Sequence, residues 1–183
     1  MIGFVLIAVL YFTGLLDKGF LYVERRYSAP WSIGDGALTG AWEGTVTVGG
    51  TQRRLILTIA LHTKSRFSRT SRRNYAVSST ALLIIDGAVQ LLGSLTVCSD
   101  AARGTVVDIE RYSLSGHANG NASKVELWPS EADRGARFGF ESLTGAWRRG
   151  VLSAAVLHRM SASERTKAVT FRKLDALPSS AHC

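Results

Sequence analysis

The sequence predicts an all-β chain: an antiparallel up-and-down β-barrel of about eight or nine strands behind an N-terminal transmembrane helix. Three observations predict it. From Leu38 onward, apolar and polar residues alternate with period two in one run after another. Turn dipeptides, Gly49-Gly50 and Asp86-Gly87, separate successive runs. One phrase, Leu38-Thr39-Gly40-Ala41-Trp42, recurs as Leu143-Thr144-Gly145-Ala146-Trp147, and each copy is followed by a strand-like run. The two copies read as an opening strand and a late strand of one antiparallel structure. No long amphipathic helix pattern follows residue 26, which favours a meander closed into a barrel, or a sandwich. Closure removes the exposed edges that an open sheet of this length would carry.

In chain order, residues 1–26 read as a membrane anchor. Ile2 to Leu16 are apolar apart from Thr13, Asp17 and Lys18 interrupt, and Gly19 to Val23 resume. Residues 2–16 would span about 22 Å as a helix, short of the roughly 30 Å hydrocarbon core. Continued to Val23, the stretch is long enough. Tyr11, Phe12, Phe20 and Tyr22 cluster toward its end, as aromatic belts do. A cleaved signal peptide would want a positive n-region and a small-residue cleavage site. The start Met-Ile-Gly-Phe has no basic side chain, and Tyr27-Ser28-Ala29 is a poor site. An uncleaved single-pass anchor fits better. Lys18, Arg25 and Arg26 follow the run, so the positive-inside rule puts the rest of the chain in the cytoplasm. Export of barrel domains behind such anchors points to the outer, periplasmic face, and we adopt that side as the expectation.

Residues 27–37 read as a linker, punctuated by Ala29-Pro30-Trp31 and Gly34-Asp35-Gly36. Trp31 is placed either at the membrane interface or at one end of the barrel. The barrel itself is assigned to residues 38–175. Trp42, Gly44, Val46 and Val48 share one strand face. Leu55, Leu57, Ile59 and Leu61 share a face of the next strand, Arg53 to His62. Residues 63–78 have no hydrophobic period and read as an exposed loop. Further strands are expected over 79–85, 88–98, 105–114, 123–128, 137–141, 147–158 and 167–174, with Pro129 stopping one of them. Residues 176–183 form a short tail.

The 183-residue length suits one domain plus an appendage. The net charge of +8 is unevenly spread. Lys64, Arg66, Arg69, Arg72 and Arg73 lie in a stretch without acids, which favours anionic partners. Phe67 and Tyr75 beside them suit a single-stranded nucleic-acid groove, but no RNA-binding signature accompanies them, so nucleic acid is not expected. Beside a membrane anchor, contact with anionic lipid is simpler. The two cysteines, Cys98 and Cys183, are too few for a disulfide scaffold and are not spaced as zinc ligands. Cys98 reads as a small buried residue, with nothing in the sequence to indicate a bridge.

Gly40-Ala41-Trp42 resembles the G-x-W at the first strand of lipocalin-like (calycin) barrels. That resemblance implies an arginine from the last strand over the tryptophan, and Arg172 in Val169-Thr170-Phe171-Arg172-Lys173-Leu174 is the matching residue. Trp42, Arg172 and Trp147 are therefore the expected barrel-closing residues. The mid-chain signature of that superfamily is not found, so the resemblance implies the barrel more than the ligand-carrying role.

Chemistry is sparse. His62, His117, His158 and His182 form no metal-binding motif, and His62 and His158, at strand ends, are expected in solvent. There is no G-x-S-x-G, P-loop or dinucleotide fingerprint. Asp108 and Glu110 share one strand face and read as a solvated stripe. No catalytic residue, metal or cofactor is expected. The reading is a membrane-anchored, non-enzymatic barrel holding a small apolar ligand or lipid. The alternatives are a structural or interaction domain with a filled core, and an enzyme with a dispersed site.

Overall fold

The computed structural model describes residues 18–33, 37–68, 77–100, 106–133, 138–148, 150–158 and 166–175. Eleven strands follow a helix, α1, over residues 18–28. They are β1 (Gly40–Val48), β2 (Thr51–Leu61), β3 (Thr63–Ser68), β4 (Val77–Leu82), β5 (Ile84–Ile85), β6 (Ala88–Asp100), β7 (Val106–Ala118), β8 (Val125–Pro129), β9 (Phe140–Arg148), β10 (Val151–His158) and β11 (Thr166–Lys173). A nine-stranded sheet runs β2-β1-β11-β10-β9-β8-β7-β6-β5, and a further pairing of β2 with β6 closes eight of its strands into a barrel. β5 is the ninth strand, attached outside the ring. Every pairing is antiparallel. Chain neighbours are barrel neighbours everywhere except between β2 and β6. There the chain leaves to form β5 and a separate two-stranded ribbon, β3-β4.

The turns obey their backbone chemistry. Gly49 and Gly50 both have positive φ (58° and 77°), as do Asp86 and Gly87 (50° and 76°). Two consecutive residues in that region match the right-handed twist of the flanking strands, and glycine enters it without a Cβ clash.

Alternation then sorts each strand into an inner and an outer face. Trp42, Val46 and Val48 of β1, Leu55, Leu57 and Ile59 of β2, and Leu95 and Val97 of β6 are buried in one apolar cluster. Leu127 of β8, Leu143 of β9, Leu152 and Val156 of β10, and Phe171 of β11 join them. Gly44 faces the same interior. A Cβ there would stand 2.7 Å from Val169 Cγ1 and 3.0 Å from Phe171 Cδ1, so two neighbouring side chains already fill its place.

Several expectations are corrected. The stretch 63–78 is not all loop, since its first part is β3 and its last residues begin β4. These two strands pair with each other in a sheet separate from that of the barrel. Residues 27–37 are not a free linker: Ala29, Trp31 and Ala37 are buried, and Pro30–Ser32 is a 3-10 turn. The expected strand 147–158 divides into the end of β9, which holds the second copy of the repeated phrase, and β10, and β7 continues to Ala118. Cys98 is buried as expected, but it is disulfide-bonded. The chain's other cysteine, Cys183, is outside the described residues. The apolar run 2–16 also lies outside them. Among the described residues, no helix is long and apolar enough to cross a membrane.

Candidate functional site

The two ends of the barrel hold its polar inner groups, and each end is shut. At the end where β1 begins and β11 finishes, the segment before β1 folds over the opening. Trp31 is inserted into the core, and its carbonyl accepts the Leu38 N–H at 2.7 Å. The indole N–H of Trp42 donates to the Leu38 carbonyl at 2.7 Å. Lys173 Nζ donates to the Ala37 carbonyl at 2.6 Å and stands 5.8 Å from the centre of the Trp42 ring. The Leu174 N–H donates to the Ala41 carbonyl. Two tryptophans, a cation and four hydrogen bonds to backbone carbonyls thus seal this end.

The cation over Trp42 is Lys173, not Arg172. Register is the reason: Trp42 pairs with Lys173, and Glu43 with Arg172. Strand alternation turns Lys173 inward with Phe171 and leaves Arg172 exposed on the outer wall. Trp147 also lies at this end. Its partner Leu152 is paired in turn with Phe171. Trp147 is half-buried against the core, and its backbone N–H donates to the Ala122 carbonyl at 3.0 Å.

The opposite end is built around Phe138, just before β9. Glu110, on the inner face of β7, accepts the Phe138 N–H at 2.8 and 3.1 Å and the Tyr112 hydroxyl at 2.8 Å. The Arg53 guanidinium carbon lies 5.3 Å above the Phe138 ring. The His158 ring, fully buried, is 5.8 Å from it. Tyr112 meets Phe140 edge-on at 5.5 Å. Burial, with Glu110 as its acceptor, pushes the Tyr112 phenol well above its ordinary range, so it stays a donor. Glu110 is therefore occupied by a phenol and an amide. It is a fastening for Phe138 rather than an available base, and it is not the solvated stripe expected of it. His158 is not in solvent either. Arg53 shares the inward parity of Leu55, Leu57 and Ile59, and Glu110 that of Tyr112 and Leu114. Following the alternation two residues further would have placed both inside.

Of the five basic residues expected at an anionic surface, Lys64 and Arg66 lie on β3, opposite Ala81 and Ser79 of β4. Arg69, Arg72 and Arg73 are outside the described residues. The outer wall carries ordinary polar pairs: Glu43 with Arg54 and Glu126 with His117 across strands, and Glu126 with Lys124 two residues before it. Lys124, then His117, hold the Glu126 carboxyl below its usual range. Among the described residues, no group of three or more His, Cys, Asp or Glu side chains is arranged to hold a metal ion. No protein-family model, curated protein or solved structure matches this chain.

Proposed function

We propose that this chain is a membrane-anchored structural or interaction domain, a non-enzymatic barrel with a filled core that acts through its outer surfaces. The observation that carries this reading is the state of the interior. Trp42, Leu55, Leu57, Leu95, Leu127, Leu143, Leu152 and Phe171, drawn from seven of the eight barrel strands, have no exposed surface. A void large enough to admit water beside them would leave some of that surface accessible. Both ends are also fastened, one by Trp31 and Lys173, the other by the Phe138 cluster. A carrier of a small apolar ligand, the role that the calycin resemblance implies, would have to displace these side chains and one of the two closures.

The anchor is the apolar run 2–16, and α1 follows it on the way to the barrel. The barrel sits on the outer face of the membrane. The disulfide at Cys98 supports that side, because such bonds persist in oxidising compartments. The charge of Lys18, Arg25 and Arg26 opposes it.

The test is native mass spectrometry and organic extraction of the full chain purified from membranes. The expected result is the bare protein mass, with crosslinking at native abundance recovering a defined partner. A stoichiometric apolar compound in the extract would restore the carrier reading. An isolated monomer under crosslinking would overturn the interaction role.

A further inference from the structure

Helix α1 is amphipathic the wrong way round. Leu21, Glu24, Arg25 and Ser28, spaced as one helical face, are the half-buried residues turned to the protein. Glu24 accepts the Leu82 N–H at 3.1 Å, and Leu21 rests on the core. The face turned away carries Phe20, Tyr22, Val23 and Tyr27, with Phe20 and Tyr27 exposed to 74% and 82%. Lys18 and Arg26 flank them, both exposed. Immediately beyond Leu82, β5 adds Ile84 and Ile85, also exposed. Six of the ten exposed large hydrophobics among the described residues therefore belong to α1 and β5, and the Glu24–Leu82 bond ties α1 to the end of β4, two residues before β5. They lie at the end of the barrel shut by Trp31.

Aromatic rings beside lysine and arginine are the composition of a surface that meets a bilayer at head-group depth: rings at the apolar boundary, cations among phosphates. Glu24, an acid on this helix, faces the barrel. Asp86, in the turn after β5, is the acid nearest the isoleucines, so charge complementarity lies with the helix. The chain that precedes it, residues 2–16, is apolar.

We propose that α1 and β5 seat the Trp31 end of the barrel on the anionic head-group layer of a bilayer, with α1 lying along the interface. This rests on the anchor reading and adds which surface meets lipid and how the barrel stands. Basic residues near an anionic surface each strengthen such seating.

The experiment uses the full chain, with its native disulfide kept by omitting reductant, in vesicles of phosphatidylcholine with phosphatidylglycerol. Single nitroxide labels are placed through Phe20→Cys, Val23→Cys, Tyr27→Cys and Ile84→Cys. Ile109→Cys and Trp128→Cys serve as controls on exposed positions toward the Phe138 end. The expected result is a ratio of oxygen to aqueous nickel-chelate collisions several-fold higher at the first four sites than at the controls. The ratio should fall when Lys18→Glu and Arg26→Glu are added or phosphatidylglycerol is left out. Protein that floats with the vesicles while all labels remain in water overturns the seating and leaves the anchor standing. Spin–spin broadening at Tyr27 or Ile84 overturns it in favour of a second copy of this chain. Failure to float overturns both readings.

Discussion

Replacing Lys173 by methionine separates the observed closure from the one the calycin resemblance implies. The change removes the ammonium that donates to the Ala37 carbonyl at 2.6 Å and stands 5.8 Å from the Trp42 ring, while keeping an unbranched side chain one atom shorter. A hydrogen bond from a charged donor contributes about 1.5–3 kcal/mol, less here because Lys173 is half-exposed. The ring contact adds about 0.5 kcal/mol at this distance and exposure. The sum is about 2 kcal/mol. Arg172→Met alters an exposed position opposite Glu43 and should cost under about 0.5 kcal/mol. With a urea slope of about 2 kcal/mol per molar, the midpoint falls by about 1 M for Lys173→Met and by less than about 0.3 M for Arg172→Met. Equilibrium urea unfolding of the full chain in mild detergent, followed by tryptophan emission, reads both. An Arg172→Met variant as unstable as Lys173→Met would refute the register on which this reasoning stands.

Other consequences are equally open to measurement. Gly44→Ala places a methyl group against Val169 and Phe171 and should cost about 1–3 kcal/mol. Adding Val169→Ala should recover part of that loss, and a double-mutant cycle by urea unfolding checks it. Tyr112 has a folded-state pKa above its unfolded value of about 10. Its contribution is thus intact below pH 10 and lost as pH rises beyond it. Alkaline unfolding monitored by circular dichroism should steepen above pH 10 and lose that component in Tyr112→Phe. The bond at Cys98 should keep both cysteines unalkylated under denaturing, non-reducing conditions, as intact mass will show. Reduction should lower the thermal midpoint, in line with the 2–4 kcal/mol typical of a native disulfide.

Much of this barrel is legible in its residues. Gly49-Gly50 and Asp86-Gly87 announce their turns because few other pairs accept two positive φ values. The inner face of β2 is visible in Leu55, Leu57 and Ile59 because burial on one side imposes period two. The partner of Trp42 is harder. Arg172 and Lys173 differ by one position, and a shift of one residue exchanges the faces of a strand. Only the pairing of β1 with β11, formed between distant parts of the chain, decides between them. The Phe138 cluster is hidden for a similar reason. Arg53, Glu110, Tyr112 and His158 come from β2, β7 and β10, and no spacing along the chain brings them together. Over residues 63–78 the alternation that marks a strand is missing from the sequence at the outset.

The pairing of the first barrel strand with the last has a temporal meaning as well. During synthesis β1 emerges early and gains β2 at once across a two-residue turn. Its other edge stays unpaired until Thr166–Lys173 has been made. Among the described residues two pairs, Trp42 with Lys173 and Glu43 with Arg172, register that final seam, against nine between β2 and β6. Such a long-range closure is slow to form. The nascent barrel therefore waits as an open, curled sheet with two sticky margins. The bonds from Lys173 to Ala37 and from Leu174 to Ala41 act as the latch that ends the wait. A ribosome stalled before residue 166 would leave behind an edge ready to recruit a strand from another chain.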